Sequence, residues 1–203
     1  MQKKLWEASN FQKKNSNLFK FEKFLSKNFK YKVSENYNNL LQWSIKNPDL
    51  FWSSIWDYSN IIGKKKFKFK FTKEFIKTEF LVNSKLNYTQ NLLSKNSNEK
   101  AITFISENGF RETRSWKKIN KNIKNLINFY LSRNIKDGER IAAYMPNQIE
   151  TVECFLACAA IGAIWSSCSP DFGTMGVIER FRQIKPKILI ITDRYYYNGK
   201  EID

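Results

Sequence analysis

Cys154 and Cys158 stand four residues apart, a spacing that places two side chains on one face of a helix. Two thiolates could begin a metal site, but such sites draw on further Cys or His ligands. This 203-residue chain has no histidine and no second closely spaced cysteine pair. The two thiols therefore read as small buried groups. With Cys168 they make an odd count without a disulfide framework, which suits a reducing compartment. Glu150 and Glu153 are three apart and read as solvated carboxylates rather than a catalytic pair. Without histidine, no Ser–His or Cys–His nucleophile system can form within the chain. The 7 glycines are not clustered, so no glycine-rich phosphate loop is present. The residues supply no catalytic constellation and no metal site of their own.

The elements that would carry any such groups are clearest between Gly138 and Asp193. Ile141–Met145 is a short apolar run interrupted by Pro146-Asn147. Ile149, Val152, Phe155, Leu156, Ala159 and Ala160 then fall at helical spacing, and Gly162 ends that helix. Ile164-Trp165 opens a second strand, broken by Ser169-Pro170. Val177, Ile178, Phe181 and Ile184 repeat the helical spacing up to Pro186. Ile188–Ile191 is a third strand, apolar on both faces. The alternation predicts a parallel α/β sheet covered by helices on both sides.

Upstream, residues 1–17 read as polar and mostly irregular, with Trp6-Glu7-Ala8-Ser9 as the part that docks. A helix opening at Asn17-Leu18 carries Leu18, Phe21, Phe24 and Leu25. Ser34 is a candidate cap for a second, with Tyr37, Leu40, Leu41 and Ile45 on its apolar face. Pro48 suits the first turn of a third. That helix is loaded with Phe51, Trp52, Ile55, Trp56 and Tyr58, which at roughly 25 cal/mol per Å² must pack on something. The later sheet domain is the natural partner. Gly63 ends the helical region, and Phe67–Phe71 is a candidate strand. Asn83–Leu93 leads into a short helix. Ala101–Ser106 and Phe110–Arg114 form a hairpin about Asn108-Gly109. Ser115 caps a helix carrying Trp116, Ile119, Ile123, Leu126, Ile127 and Tyr130.

The net charge is +16. Residues 1–100 hold 20 lysines against 8 acids, giving +12, and residues 101–203 hold 15 basic residues against 11 acids, giving +4. The octet Lys64–Phe71, KKKFKFKF, is basic with interleaved aromatics. It is equally a plain alternating strand, and no nucleic-acid recognition motif accompanies it. No apolar run approaches the ~20 residues of a membrane span. The first residues lack the apolar core of a signal peptide. The expectation is a cytoplasmic protein with no nucleic-acid and no membrane partner.

Three ordered blocks carry a resemblance: LLQWSIKNPDLFWSSIWDY (Leu40–Tyr58), LNYTQNLL (Leu86–Leu93) and AIGAIWSSCSPDFGTMGVIERFRQIKPK (Ala160–Lys187), followed by YNGK. Together they are similar to the N-terminal part of acyl-CoA synthetases of the adenylate-forming superfamily, in the branch that activates acetoacetate. The resemblance implies an α/β fold: a helical N-terminal extension followed by the first βα units of the large N-terminal domain. It divides the chain into a polar and helical segment (1–36), the helical extension (37–95) and the start of the AMP-binding domain (96–203).

It further implies an ATP-dependent ligation using Mg and CoA. A carboxylate such as acetoacetate, or another short acyl acid, attacks the α-phosphorus of ATP and releases pyrophosphate. The CoA thiol then displaces AMP. The family's phosphate loop, adenine and ribose contacts, Mg-binding acid, acyl pocket and C-terminal catalytic lysine all lie downstream. The chain alone is thus expected to be inactive. By position, the resemblance puts CoA contacts at Asp171, Phe172, Tyr197 and Lys200. For Asp171 the other reading is an N-cap or turn ahead of the Gly173–Ile184 helix, and for Lys200 an ordinary solvated lysine. A non-catalytic remnant, or one piece of a split enzyme that associates with itself or with a partner chain, is the alternative. In that case Ile188–Ile191 exposes an edge or an apolar face.

Overall fold

The computed structural model describes residues 5–34, 36–66, 68, 70, 72 and 74–203. The chain divides into two units, residues 1–86 and 87–203.

The first unit is built of helices. They are α1 (Asn10–Asn15), α2 (Asn17–Asn28), α3 (Tyr37–Lys46) and α4 (Pro48–Tyr58). Helix α1 was not expected. Its start is a capping box in which the Ser9 hydroxyl accepts from Gln12 N–H while the Gln12 side chain accepts from Ser9 N–H. The Trp6 segment does not dock: Leu5 and Trp6 are exposed. The cap of α3 is Asn36, whose side chain accepts from Asn38 N–H at 2.9 Å. Ser34 instead sits 3.2 Å from the Tyr31 hydroxyl, which donates to the Glu22 carboxylate at 3.0 Å. Pro48 occupies the first turn of α4, as expected.

The aromatic load of α4 finds partners inside this unit. Phe21, Leu25, Tyr31 and Leu40 form a buried cluster, with Phe24, Trp43, Phe51, Ile55 and Tyr58 packed around it. Phe21 stands edge-on to Phe51 at 6.2 Å, and Tyr31 to Trp43 at 5.3 Å, arrangements that the ring quadrupoles favour.

After α4 the chain runs out and back. Strand β1 (Gly63–Lys64) pairs antiparallel with β2 (Lys85–Leu86). Further along, Lys68 C=O accepts from Val82 N–H at 2.7 Å, and Lys70 and Glu79 exchange backbone hydrogen bonds. The expected strand Phe67–Phe71 is therefore paired where it can be followed, but Phe67, Phe69 and Phe71 lie outside the described residues.

The second unit begins with α5 (Tyr88–Leu92), capped by Asn87. The hairpin β3 (Lys100–Ile105) and β4 (Arg111–Ser115) turns at Asn108-Gly109, with Gly109 at φ +81°. Helix α6 (Trp116–Ser132) is capped by the Ser115 hydroxyl. Next come β5 (Arg140–Tyr144), α7 (Ile149–Ala160), β6 (Ile164–Cys168), α8 (Thr174–Ile184) and β7 (Ile188–Ile191). The sheet is parallel in the order β6-β5-β7. A last hairpin, β8 (Tyr195–Tyr197) and β9 (Lys200–Ile202), follows.

The central strand β5 is buried on both faces, as the βα alternation requires. Ile141 points to a core of Ile119, Ile123, Tyr130, Leu156 and Cys158 from α6 and α7. Ala142 points the other way, to Cys168, Val177 and Phe181 beneath α8. Strand β7 is apolar throughout, yet Leu189 and Ile191 are 53% and 64% exposed. In register they face the same side as Ala142 and Tyr144, which α8 does not cover as far as β7.

Candidate functional site

In open α/β sheets, ligands bind in the crevice beyond the carboxyl ends of the strands. A cavity of about 460 Å³ lies there. Its floor is Pro146 to Gln148 after β5 and Ser169 to Asp171 after β6. One wall is the β3–β4 hairpin tip, with Phe104, Glu107 and Phe110, and another is Tyr195 to Tyr197 of β8.

Local chemistry fixes each of these segments. At the first tip Asn108 Oδ1 accepts from Phe110 N–H at 3.0 Å. At the second, Asn198 and Gly199 both take positive φ, +50° and +75°. That is the two-residue turn whose twist matches a hairpin. Glu107 Oε2 accepts from Gly199 N–H at 3.2 Å, joining the two tips. On the floor, the Tyr144 hydroxyl lies between the carbonyls of Pro170 and Phe172, at 2.8 and 2.9 Å. The Thr151 hydroxyl donates to Pro146 C=O at 2.7 Å. Loss of water, and then the charge of Asp171, push the Tyr195 phenol above its usual range.

Of the four residues that the family resemblance selects, Asp171 and Tyr197 line this cavity together. Asp171 does not cap α8: the N-cap is Gly173, with no side-chain hydrogen bond. Asp171 Oδ2 accepts instead from the Ser169 hydroxyl at 2.8 Å, inside the loop. Phe172 does not line the cavity, and the Arg180 guanidinium lies 4.3 Å from its ring centre. Lys200 is exposed and pairs in register with Tyr197 across the turn.

The charged side chains lining the cavity are Glu107 and Asp171, both acids. A phosphate there would meet like charge, so this cavity does not fit the phosphates of CoA or ATP. Its tyrosine and phenylalanine rings suit a flat, uncharged group. Among the described residues, no group of three or more His, Cys, Asp or Glu is placed to hold a metal ion. Cys154, Cys158 and Cys168 are free and buried, in keeping with the reading of small buried thiols. Burial pushes the Cys158 thiol up to about 11, and Cys154 also upward.

Glu150 and Glu153 are not a solvated pair. Glu153 has 4% of its side chain exposed, and its carboxylate receives Arg114 Nη1 at 2.7 Å and Asn122 Nδ2 at 2.9 Å. Arg114 also donates to Glu112 at 2.7 Å and pairs with Glu150. Burial works against the Arg114 cation, but three carboxylates outweigh it and hold its pKa above the usual value. The sequence carries one sign of this. Glu153 sits four residues after Ile149 and three before Leu156, on the buried stripe of α7, where an acid needs a partner. The partner's identity, on a hairpin 39 residues away, is not legible from that spacing.

The family described as AMP-binding enzyme matches residues 91–202. Acetoacetyl-coenzyme A synthetase of Rhizobium meliloti (strain 1021) is 37% identical over 169 residues, covering 83% of this chain and 26% of that protein. Acetoacetyl-CoA synthetase of Gallus gallus is 35% identical over 209 residues, 97% of this chain and 30% of that protein. The solved acetoacetyl-CoA synthetase from Streptomyces lividans superposes with a TM-score of 0.92 at 24% identity, over 100% of this chain and 32% of its own. That likeness establishes the fold: N-terminal helices followed by parallel βα units. The chain thus spans under a third of the length of these relatives.

Proposed function

From the premise that this chain belongs to the AMP-binding enzyme family, and is homologous to acetoacetyl-CoA synthetases, we propose that it is the N-terminal part of an acid–thiol ligase. The complete enzyme converts acetoacetate, ATP and CoA to acetoacetyl-CoA, AMP and pyrophosphate through an acyl-adenylate. The observation that carries this reading is the 37% identity to the Rhizobium meliloti synthetase across 83% of the chain. Acetoacetate is the substrate named for that relative. A malonamoyl-CoA synthetase of Penicillium aethiopicum is 27% identical over 97% of the chain, so other short acyl acids belong in the assay. In this reading residues 1–36 are a polar and helical segment, 37–95 form the helical extension and 96–203 begin the adenylation domain, in the cytoplasm.

Within that enzyme ATP and Mg are held by residues beyond these. Tyr197 and Asp171, which line the cavity, contact the uncharged part of CoA, while Phe172 and Lys200 are not among its lining residues. Lys200, exposed beside the cavity, is the cation for a phosphate.

The test uses native protein recovered from source cells with an antibody to the N-terminal unit. Incubation with acetoacetate, Mg-ATP and CoA should give acetoacetyl-CoA and AMP in equal amounts. Turnover of a different acid alone would overturn acetoacetate as substrate; no AMP with any acid would overturn the ligase reading. In the active enzyme, Lys200→Gln should raise the KM for CoA by about threefold to tenfold with kcat unchanged. The 203-residue chain by itself should make no AMP.

A second reading, one piece of a split enzyme that works by association, is favoured by the bare Leu189 and Ile191. Light scattering that found only monomer, with and without the downstream residues added as a separate chain, would count against it.

A further inference from the structure

The out-and-back segment between β1 and β2 has two properties that the ligase reading does not use. First, Lys64, Lys66, Lys68 and Lys70 recur at every second position of one run, and all four are exposed. The run is paired across to the returning chain at Lys64–Lys85, Lys68–Val82 and Lys70–Glu79, with Lys66 N–H donating to the Ser84 hydroxyl at 2.7 Å. Lys70 Nζ is paired with Glu79 at 2.9 Å, so Lys64, Lys66 and Lys68 are the exposed cations this run offers to a partner. Lys64 lies directly opposite Lys85, a like-charge pair that costs stability in a two-stranded ladder.

Second, the far end of the segment is the 3-10 turn Phe75–Lys77. Phe75 is 82% and Ile76 is 90% exposed, side by side at the tip. The root is held on α4. Lys65 Nζ reaches Asp57 at 2.7 Å and Ser53 C=O at 3.1 Å, and Trp52 packs on Phe80 at 4.9 Å. A side chain at Gly63 would collide with Lys85 C=O, so the two runs approach closely there.

We propose that this arm docks on an anionic lipid surface, with Lys64, Lys66 and Lys68 on the headgroups and Phe75-Ile76 in the acyl boundary. Charge complementarity selects an anionic partner, and two weak signals, an apolar insertion and a polybasic run, are together what reversible membrane attachment takes. A single-stranded nucleic acid would use the lysines and could stack on Phe75. It has no use for a bare isoleucine at the tip, so lipid is the better fit. Surface docking of this kind requires no spanning helix, and no helix among the described residues is long and apolar enough to cross a membrane.

The test is co-sedimentation of the 203-residue chain with phosphatidylcholine vesicles, with and without about 30 mol% phosphatidylglycerol. Binding is expected on the anionic vesicles only, weakening at least tenfold from about 0.05 to about 0.5 M salt. The double variant Phe75→Ser with Ile76→Ser should bind at least about fivefold more weakly. Lys64→Gln, Lys66→Gln and Lys68→Gln combined should abolish the salt dependence. A Phe75→Trp variant gives an independent reading: vesicles with brominated acyl chains should quench it beyond wild type. Equal binding to neutral vesicles, no binding, an unaffected tip variant, absent extra quenching, or tighter binding to a single-stranded RNA than to vesicles would each overturn the proposal.

Discussion

Arg114 Nη1 donates to Glu153 Oε2 at 2.7 Å, tying the end of strand β4 to the buried face of helix α7. That contact makes the hairpin part of the α/β core, although the hairpin shares no strand pairing with the parallel sheet. Because the tip of the same hairpin walls the cavity, the ion pair sets where Glu107 and Phe110 stand.

Arg114→Ala leaves Glu153 buried with only Asn122 as a partner. The expected loss is about 3–5 kcal/mol, the usual consequence of breaking a buried pair from one side. Replacing Arg114 and Glu153 together by methionine should lose much less. Urea denaturation of the two variants measures the difference. Equal destabilisation would show that the pair itself is not the source.

Asn87 serves two helices at once. Its Oδ1 accepts from Gln90 N–H at 3.1 Å at the start of α5, and its Nδ2 donates to the carbonyls of Ala159 and Ala160 at the end of α7, at 3.1 and 3.0 Å. Asn87→Ala should cost about 2 kcal/mol. Asn87→Ser restores the cap alone and should recover roughly half, which thermal melts of both variants would resolve.

Gly162 ends α7 at φ +75°, and a Cβ there would run into the Asp137 carboxylate. Gly162→Ala should destabilise by about 1–2 kcal/mol from backbone strain alone. Asp137→Ala in the same background should relieve only the collision. A melting temperature unchanged by Gly162→Ala would contradict both arguments.

Burial raises Cys158 to about 11 from an ordinary 9.0 and raises Cys154 in the same direction. The folded chain therefore holds those protons more tightly than the unfolded chain does. The stabilisation is complete below about 9 and is lost as pH rises toward about 11. Cys158→Ala should flatten that alkaline decline, and native protein at mild pH should react with iodoacetamide far more slowly than unfolded protein. Rapid native alkylation would contradict the burial.

The βα order, the parallel sheet, the caps at Ser115 and Gly162 and the Asn108-Gly109 turn were legible because each rests on neighbouring residues. Two of the misreadings come from contact between residues distant in sequence. The aromatic side chains of α4 had to be buried, but the sequence did not reveal that α2 and α3 would bury them. Glu153 looked solvated because its partner Arg114 is on another element. Ser34 and Asn36 are both good caps, and Ser34 lies instead against the Tyr31 hydroxyl three residues away, a local contact. Of the cavity, the floor loop at Asp171 and the wall at Tyr197 followed from family resemblance. The second wall at Glu107 and Phe110 did not, because nothing local links that tip to Gly199.

Both tips that shape the cavity are Asn-Gly dipeptides, and that pairing gives the site a chemical clock. The backbone nitrogen after such an asparagine can attack its side-chain amide carbon and expel ammonia, and water then opens the resulting succinimide to aspartate or isoaspartate. Here both nitrogens are engaged, Gly109 N–H with Ser106 C=O at 3.0 Å and Gly199 N–H with Glu107 at 3.2 Å. Deamidation must therefore wait for a tip to open, and an isoaspartate assay on stored protein would report how often it does. Each event adds a negative charge beside Glu107 and Asp171, so an old molecule would present a more acidic cavity than a new one.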